Sequence, residues 1–246
     1  MRSTPARHFG RLFRSLQETL GERIDRRERI HYLHIGKNAG NQIKHLAELV
    51  DRSDVTYRFR MHPHLVTLAD LPTDARYFFS IRSPITRFKS AFYSRKRMGR
   101  PLNDYPWTDL ERRAFDRFEH AEDLAANLFA EGRDGHDAMC AIKSIGHCTN
   151  DQVSWFTGNM YCLDIRPPVW ILRMESLEED IDAMLSRLGG EVRFEPCKDA
   201  VVSHRMDYSG IPELSEHSKR NLERWYAQDM EFYRRCEGWI MDQEGS

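Results

Sequence analysis

Tyr77-Phe78-Phe79-Ser80-Ile81, followed at once by Arg82-Ser83-Pro84-Ile85-Thr86-Arg87-Phe88-Lys89-Ser90-Ala91-Phe92-Tyr93, decides the fold of this chain. The five-residue run has no polar face, as expected of a strand covered on both sides. Ser83 is placed to N-cap the helix that follows, and Pro84 suits its first turn. Working back, residues 30–35 read as a first strand, about 41–50 as a helix, and 55–61 as a second strand in which Val55, Tyr57, Phe59 and Met61 alternate. Strand, helix and strand at this spacing make the βαβ crossover of an open parallel sheet.

Working forward, residues 99–108 form a loop rich in proline and aromatics. Helical patterns follow over 109–118 and 119–130, then a less regular stretch from 132 to 158. Residues 169–173 return to strand. Ser176-Leu177-Glu178-Glu179 has the form of a capping box, opening a helix that stops near Gly189-Gly190. The last helix is expected over about 215–237, with Leu222, Trp225, Tyr226 and Tyr233 on one side. The fold class that results is α/β: a doubly wound, mostly parallel, P-loop-like sheet with a helical insertion between the third and fourth strands. Residues 30–246 read as a single domain. Residues 1–29 form a basic amphipathic segment, with Phe9, Leu12, Phe13, Leu16 and Leu20 at helical spacing. That segment either docks on the domain or makes peripheral contact with an acidic membrane surface.

Composition narrows the function classes. Hydrophobic residues are 40% and charged residues 30% of 246, with a formal net charge of −1, so whole-chain charge gives no reason to expect nucleic acid. Five cysteines with no C-x-x-C pair make neither a zinc pattern nor a disulfide framework; thiols in a reducing, cytoplasmic setting are expected, and no metal site. No apolar run approaches the roughly 18 residues of a membrane span.

Two segments carry chemistry. His34-Ile35-Gly36-Lys37-Asn38-Ala39-Gly40-Asn41 joins the first strand to the first helix. Gly36 and Gly40 are expected to turn the backbone tightly, Lys37 supplies charge, and the helix start offers free N–H groups. This is not G-x-x-x-x-G-K-[ST]: its lysine comes early and no hydroxyl follows to hold magnesium, which argues against a nucleoside triphosphate. The second segment starts at Arg82, whose planar fork suits phosphate. From Arg82 to Arg100 there are seven Lys or Arg and no acid. Ser90, two turns into the helix, faces the same ligand if the helix packs beside it. Two anion sites at two strand ends fit a ligand with phosphate at two separated positions, as in adenosine 3′,5′-bisphosphate.

With both segments in hand, the chain resembles the 3′-phosphoadenosine 5′-phosphosulfate (PAPS) sulfotransferases, nearest the branch of carbohydrate and uronyl 2-O-sulfotransferases and their bacterial relatives. The 5′-phosphosulfate loop of that family, P-K-x-[GA]-[GS]-T, is similar to Gly36-Lys37-Asn38-Ala39-Gly40-Asn41. Its 3′-phosphate motif, R-x-P-x-x-R-x-x-S-x-[YF], is matched from Arg82 to Tyr93, and Arg173-Met174-Glu175-Ser176-Leu177 resembles its R-x-E-x-L segment. The likeness spans about residues 30 to 235. Asn41-Gln42 departs from it, since relatives carry hydroxyls there; amides can donate equivalent hydrogen bonds. The resemblance implies PAPS as sulfuryl donor, adenosine 3′,5′-bisphosphate as product and no metal. Gly36, Lys37, Asn38, Ala39, Gly40, Asn41, Gln42, Arg82 and Ser90 then hold the nucleotide, and Arg205, in Ser203-His204-Arg205, is a further expected ligand.

A hydroxyl acceptor must lose its proton. Met61-His62-Pro63-His64 follows the second strand and is similar to the H-x-H segment of the uronyl branch, which implies His64 as base with His62 as support or substitute. The expected acceptor is a hydroxyl-bearing small molecule or carbohydrate lying beneath Tyr105, Pro106 and Trp107. Two other readings stay open. One is a small-molecule kinase of P-loop-like fold; the other is a non-catalytic relative that holds a nucleotide or polyanion.

Overall fold

The computed structural model describes residues 26–197, 199 and 207–245. Most of the amphipathic segment, and Ser203, His204 and Arg205, lie outside the described residues. Strands β1 (Glu28–Leu33), β2 (Tyr57–Met61), β3 (Tyr77–Ile81) and β4 (Ile171–Arg173) form one parallel sheet in the order β2-β1-β3-β4. Tyr32 of β1 lies opposite Met61 on one side and Phe78 on the other, and Phe79 lies opposite Ile171. The strand order therefore reverses between β1 and β3. Outside their carboxyl ends a crevice opens, the usual ligand position in such sheets. β1 stops at Leu33, before the end of its apolar run, because the Ile35 N–H turns back to the Leu33 carbonyl.

The helices are α1 (Gly40–Asp51), α2 (Pro84–Lys96), α3 (Asp109–Arg117), α4 (Ala121–Asn127), α5 (Gly132–Ser144), α6 (Cys162–Ile165), α7 (Leu177–Leu188), α8 (Glu216–Trp225) and α9 (Ala227–Glu244). They bury two apolar clusters. In the first, Tyr32, Phe78 and Phe79 of the sheet pack with Ile43 and Leu46 of α1, Ile181 and Met184 of α7, and Phe232 and Ile240 of α9. Each fully buried side chain of this kind contributes about 1.5–3 kcal/mol. In the second cluster, Phe88 and Phe92 of α2 meet Phe115, Leu124, Ile142 and Leu222 from α3, α4, α5 and α8.

Three expectations need correction. The stretch expected to be irregular contains α5, whose Gly135 sits so close to the Ala130 carbonyl that a Cβ would lie 1.9 Å from the oxygen. The last helix is two helices, broken at Tyr226 (φ −96°, ψ 30°), and Ser215 caps the first by accepting from the Ser218 N–H. Ser176 precedes α7 but makes no side-chain cap bond, so the expected capping box is not formed. No helix among the described residues is long and apolar enough to cross a membrane.

Candidate functional site

The turn after β1 is built by strain and by close packing. Its left-handed residues are Lys37 (φ 71°) and Ala39 (φ 59°), which is unusual for residues with a Cβ. Gly36 and Gly40 serve a different purpose from the one expected. A Cβ on Gly36 would lie 2.5 Å from His147 Nδ1, and one on Gly40 would lie 2.0 Å from His34 Nε2. Each glycine is the seat of an imidazole ring.

Asn38, between them, is fully buried and turned away from solvent. Its Nδ2 donates to the Ser80 carbonyl (2.8 Å) and to Gln152 Oε1 (2.6 Å). Its carbonyl accepts from Ser80 Oγ at 2.5 Å and from the Tyr32 hydroxyl at 3.2 Å. Asn38 is thus a clamp on the turn, and its side chain does not reach the ligand space. Gln42 is also spent elsewhere: its carboxamide pairs both ways with the Cys197 peptide, at 3.1 and 2.9 Å. Among the described residues the start of α1 has no acid in its first turn and no side-chain cap.

The turn after β3 differs. The Ser83 side chain makes no cap bond to α2. Its N–H donates to Glu175 Oε1 at 3.0 Å, and Thr86 Oγ1 donates to the same oxygen at 3.3 Å. A carboxylate of the protein therefore sits at the positive end of α2 and takes the Ser83 N–H. Arg82 remains available: its Nε donates to neutral Thr86 Oγ1 at 3.0 Å. The other cations of this stretch are committed. Arg95 grips Glu111 with two bonds of 2.6 and 2.7 Å, Lys89 pairs with Glu213, Lys96 holds the Glu119 carbonyl, and Arg100 pairs with Asp104. Arg87 is buried, donating to the carbonyls of Gly36 (3.0 Å) and Asn150 (2.7 Å), with Nη2 unpartnered among the described residues.

One cavity of about 460 Å³ collects the candidates. Lys37, Ala39, Gly40 and Asn41 line it from the first turn, Arg82 and Ser90 from the second, and His64 from the loop after β2. His34, His147, Arg95, Asn103 and Tyr105 complete its polar wall, and no described lining residue is a carboxylate. Lys37 has no hydrogen bond or ion pair among the described residues. Burial, then Arg97 and Arg82, press its ammonium down to about 8. Burial also lowers Arg82. Neighbouring cations thus lower Lys37 in a cavity whose described lining holds no carboxylate, an arrangement that suits an anion.

The histidines divide. His62 is not among the lining residues; it stacks on His31, with His31 Nδ1 and His62 Nε2 2.9 Å apart, and burial and then His31 lower it to about 4. His64 Nδ1 lies 2.9 Å from the His34 carbonyl. A carbonyl only accepts, so Nδ1 carries the proton and Nε2 keeps its lone pair. The indole N–H of Trp155 donates to the His64 carbonyl at 2.8 Å and holds the loop. Of the expected acceptor platform, Tyr105 lines the cavity and is exposed. Trp107 packs on Phe115 with its N–H on the Arg95 carbonyl.

Sequence reasoning missed Gln152. Its Oε1 accepts from Asn38 Nδ2 and from the Arg82 N–H (3.0 Å), while Nε2 donates to the Arg82 carbonyl (2.8 Å) and to Asp229 (3.2 Å). One buried carboxamide ties both turns together. Burial lifts Asp229 to about 6, against Arg87 and the donors of Gln152 and Val153. Asp229 had a readable signal, a carboxylate on the apolar stripe of Leu222, Tyr226 and Tyr233; Gln152 had none.

No protein-family model matches this chain, and a search of curated proteins finds no match.

Proposed function

We propose that the chain is a sulfotransferase that moves a sulfuryl group from PAPS to a hydroxyl, carried by a carbohydrate or glycoconjugate. The observation that carries this reading is that Lys37 and Arg82, from two different strand ends, line one cavity whose described walls hold cations and no carboxylate. The strand order, reversing between β1 and β3, fits a doubly wound, P-loop-like sheet. The nucleotide, when bound, supplies an activated sulfuryl group on a 5′-phosphate.

The chain's residues then take these roles. Arg82 and Ser90 hold the 3′-phosphate through side chains. Lys37, with the open start of α1 and Asn41, holds the 5′ end. His64 Nε2 takes the acceptor proton as the acceptor oxygen bonds to sulfur. Lys37 stabilises the electron pair left on the departing 5′-phosphate. Tyr105 offers an exposed aromatic face to a sugar. Cytoplasmic residence belongs to this reading as well.

Calorimetry with adenosine 3′,5′-bisphosphate against ATP is the first test. Clear preference for the bisphosphate is expected; equal affinity, or preference for ATP, sinks the assignment. Mass spectrometry of a saccharide panel incubated with PAPS should find an added sulfuryl group. His64→Ala should keep bisphosphate affinity while transfer drops about 10²–10⁴-fold.

A further inference from the structure

His147 stands out among residues the mechanism above leaves unused. It comes from the segment after α5, not from either anion turn, yet its ring lines the same cavity as Lys37 and His64. Its centroid lies 5.6 Å from that of His64, edge-on at 69°. The Nδ1–Cε1 edge rests on Gly36, as the 2.5 and 3.0 Å approaches of a Cβ there show, leaving Nε2 away from the glycine.

Neither ring nitrogen has a hydrogen-bond partner among the described residues. The backbone holds φ at 68°, a strained value kept where the surroundings dictate it. Burial, then Lys37, His64, Arg87 and Arg95, lower the ring to about 3. At neutral pH it is therefore a neutral imidazole, with one N–H donor and no charge to repel Lys37.

We infer that His147 is a further catalytic residue of the proposed transfer, donating a hydrogen bond from its neutral ring to an oxygen of the sulfuryl group held by the Lys37 turn. This rests on the sulfotransferase reading. The proton stays on His147 throughout: the acceptor proton goes to His64, the new O–S bond forms, and the old S–O electron pair goes to the 5′-phosphate. His147 touches the group in flight without exchanging anything with it.

Binding of two probes separates this role from a structural one. Adenosine 3′,5′-bisphosphate lacks the sulfuryl group, and PAPS carries it. His147→Ala should weaken PAPS about 10-fold while leaving the bisphosphate within about twofold, the size of one hydrogen bond to a charged group. Equal weakening of both makes His147 a prop for Gly36, and weakening of neither makes it a bystander; either result overturns the inference and leaves the sulfotransferase reading standing. If the wild-type protein binds neither probe, that reading fails and the inference with it.

Should the alanine variant not fold, the wild-type ring is read directly by ¹⁵N NMR. A His147 N–H signal protected by PAPS and not by the bisphosphate supports the role. Identical spectra with the two probes reject it.

Discussion

The turns that end β1 and β3 lie on either side of one crevice and look alike in sequence, each an apolar strand leading into a helix with a cation at the junction. They are built oppositely. After β1 the helix start has no side-chain cap and no acid among the described residues, the backbone is strained at Lys37 and Ala39, and Lys37 has no partner among them. After β3 the helix start is filled by Glu175, and Arg82 leans on Thr86. The first turn therefore offers backbone N–H groups beside its charge, whereas at the second a carboxylate of the protein already takes the Ser83 N–H. Under the proposed function, the group that changes charge during reaction is assigned to the first and the phosphate that is only recognised to the second.

The largest effect that would test this contrast is in Lys37→Ala. Release of adenosine 3′,5′-bisphosphate from PAPS should fall about 10²–10³-fold, the size seen when a transition-state donor is removed. The melting temperature should hold, because the ammonium has no hydrogen bond or ion pair among the described residues to lose. Unchanged turnover would end the assignment of the β1 turn to the reacting end. Arg82→Ala should cost about 10–100-fold in affinity for adenosine 3′,5′-bisphosphate, and little for adenosine 5′-monophosphate. Equal losses for the two nucleotides would mean that the turns do not divide the ligand.

A smaller effect is expected from pH. Lys37 sits near 8 when the cavity is empty, and a bound anion returns it toward its ordinary value. The complex then holds more protons than the free protein above pH 8. Affinity for adenosine 5′-monophosphate should fall as pH rises through that point, by up to about tenfold per unit. A flat profile would place the 5′ group elsewhere. Smallest of the four, Glu175→Ala removes the carboxylate at the start of α2 and should cost about 1 kcal/mol in urea unfolding. A loss above that range would mean that Glu175 does more than satisfy a helix end.

The contrast was only half legible in the sequence. The β3 turn announced its helix through Pro84 and a strand buried along its whole length, and both were placed correctly. What sits at the helix start was not legible, because Glu175 arrives from the end of the neighbouring strand β4, 92 residues along the chain. Gly36 and Gly40 were read as residues that let the backbone turn tightly. Their real constraint is the space taken by His147 and His34, contacts made across more than one hundred residues in the first case. Helix α5 went unread because Gly132, Asp134 and Gly135 dilute its apolar spacing. Lys37, Arg82, Ser90 and His64 could be singled out because chemistry at a strand end is local. The commitment of Arg95 to Glu111 and of Lys96 to the Glu119 carbonyl was not, since those partners lie beyond the helix that carries the cations.

Gln152 gives the crevice a fixed gauge. With all four hydrogen-bonding positions of one carboxamide engaged, the peptide of Arg82 and the side chain of Asn38 are held at a set separation, and neither strand end can shift without the other. A molecule with anionic groups at that spacing meets both at once; one with a single such group must choose an end. Under the proposed function, selectivity by length then rests on a residue that touches no ligand.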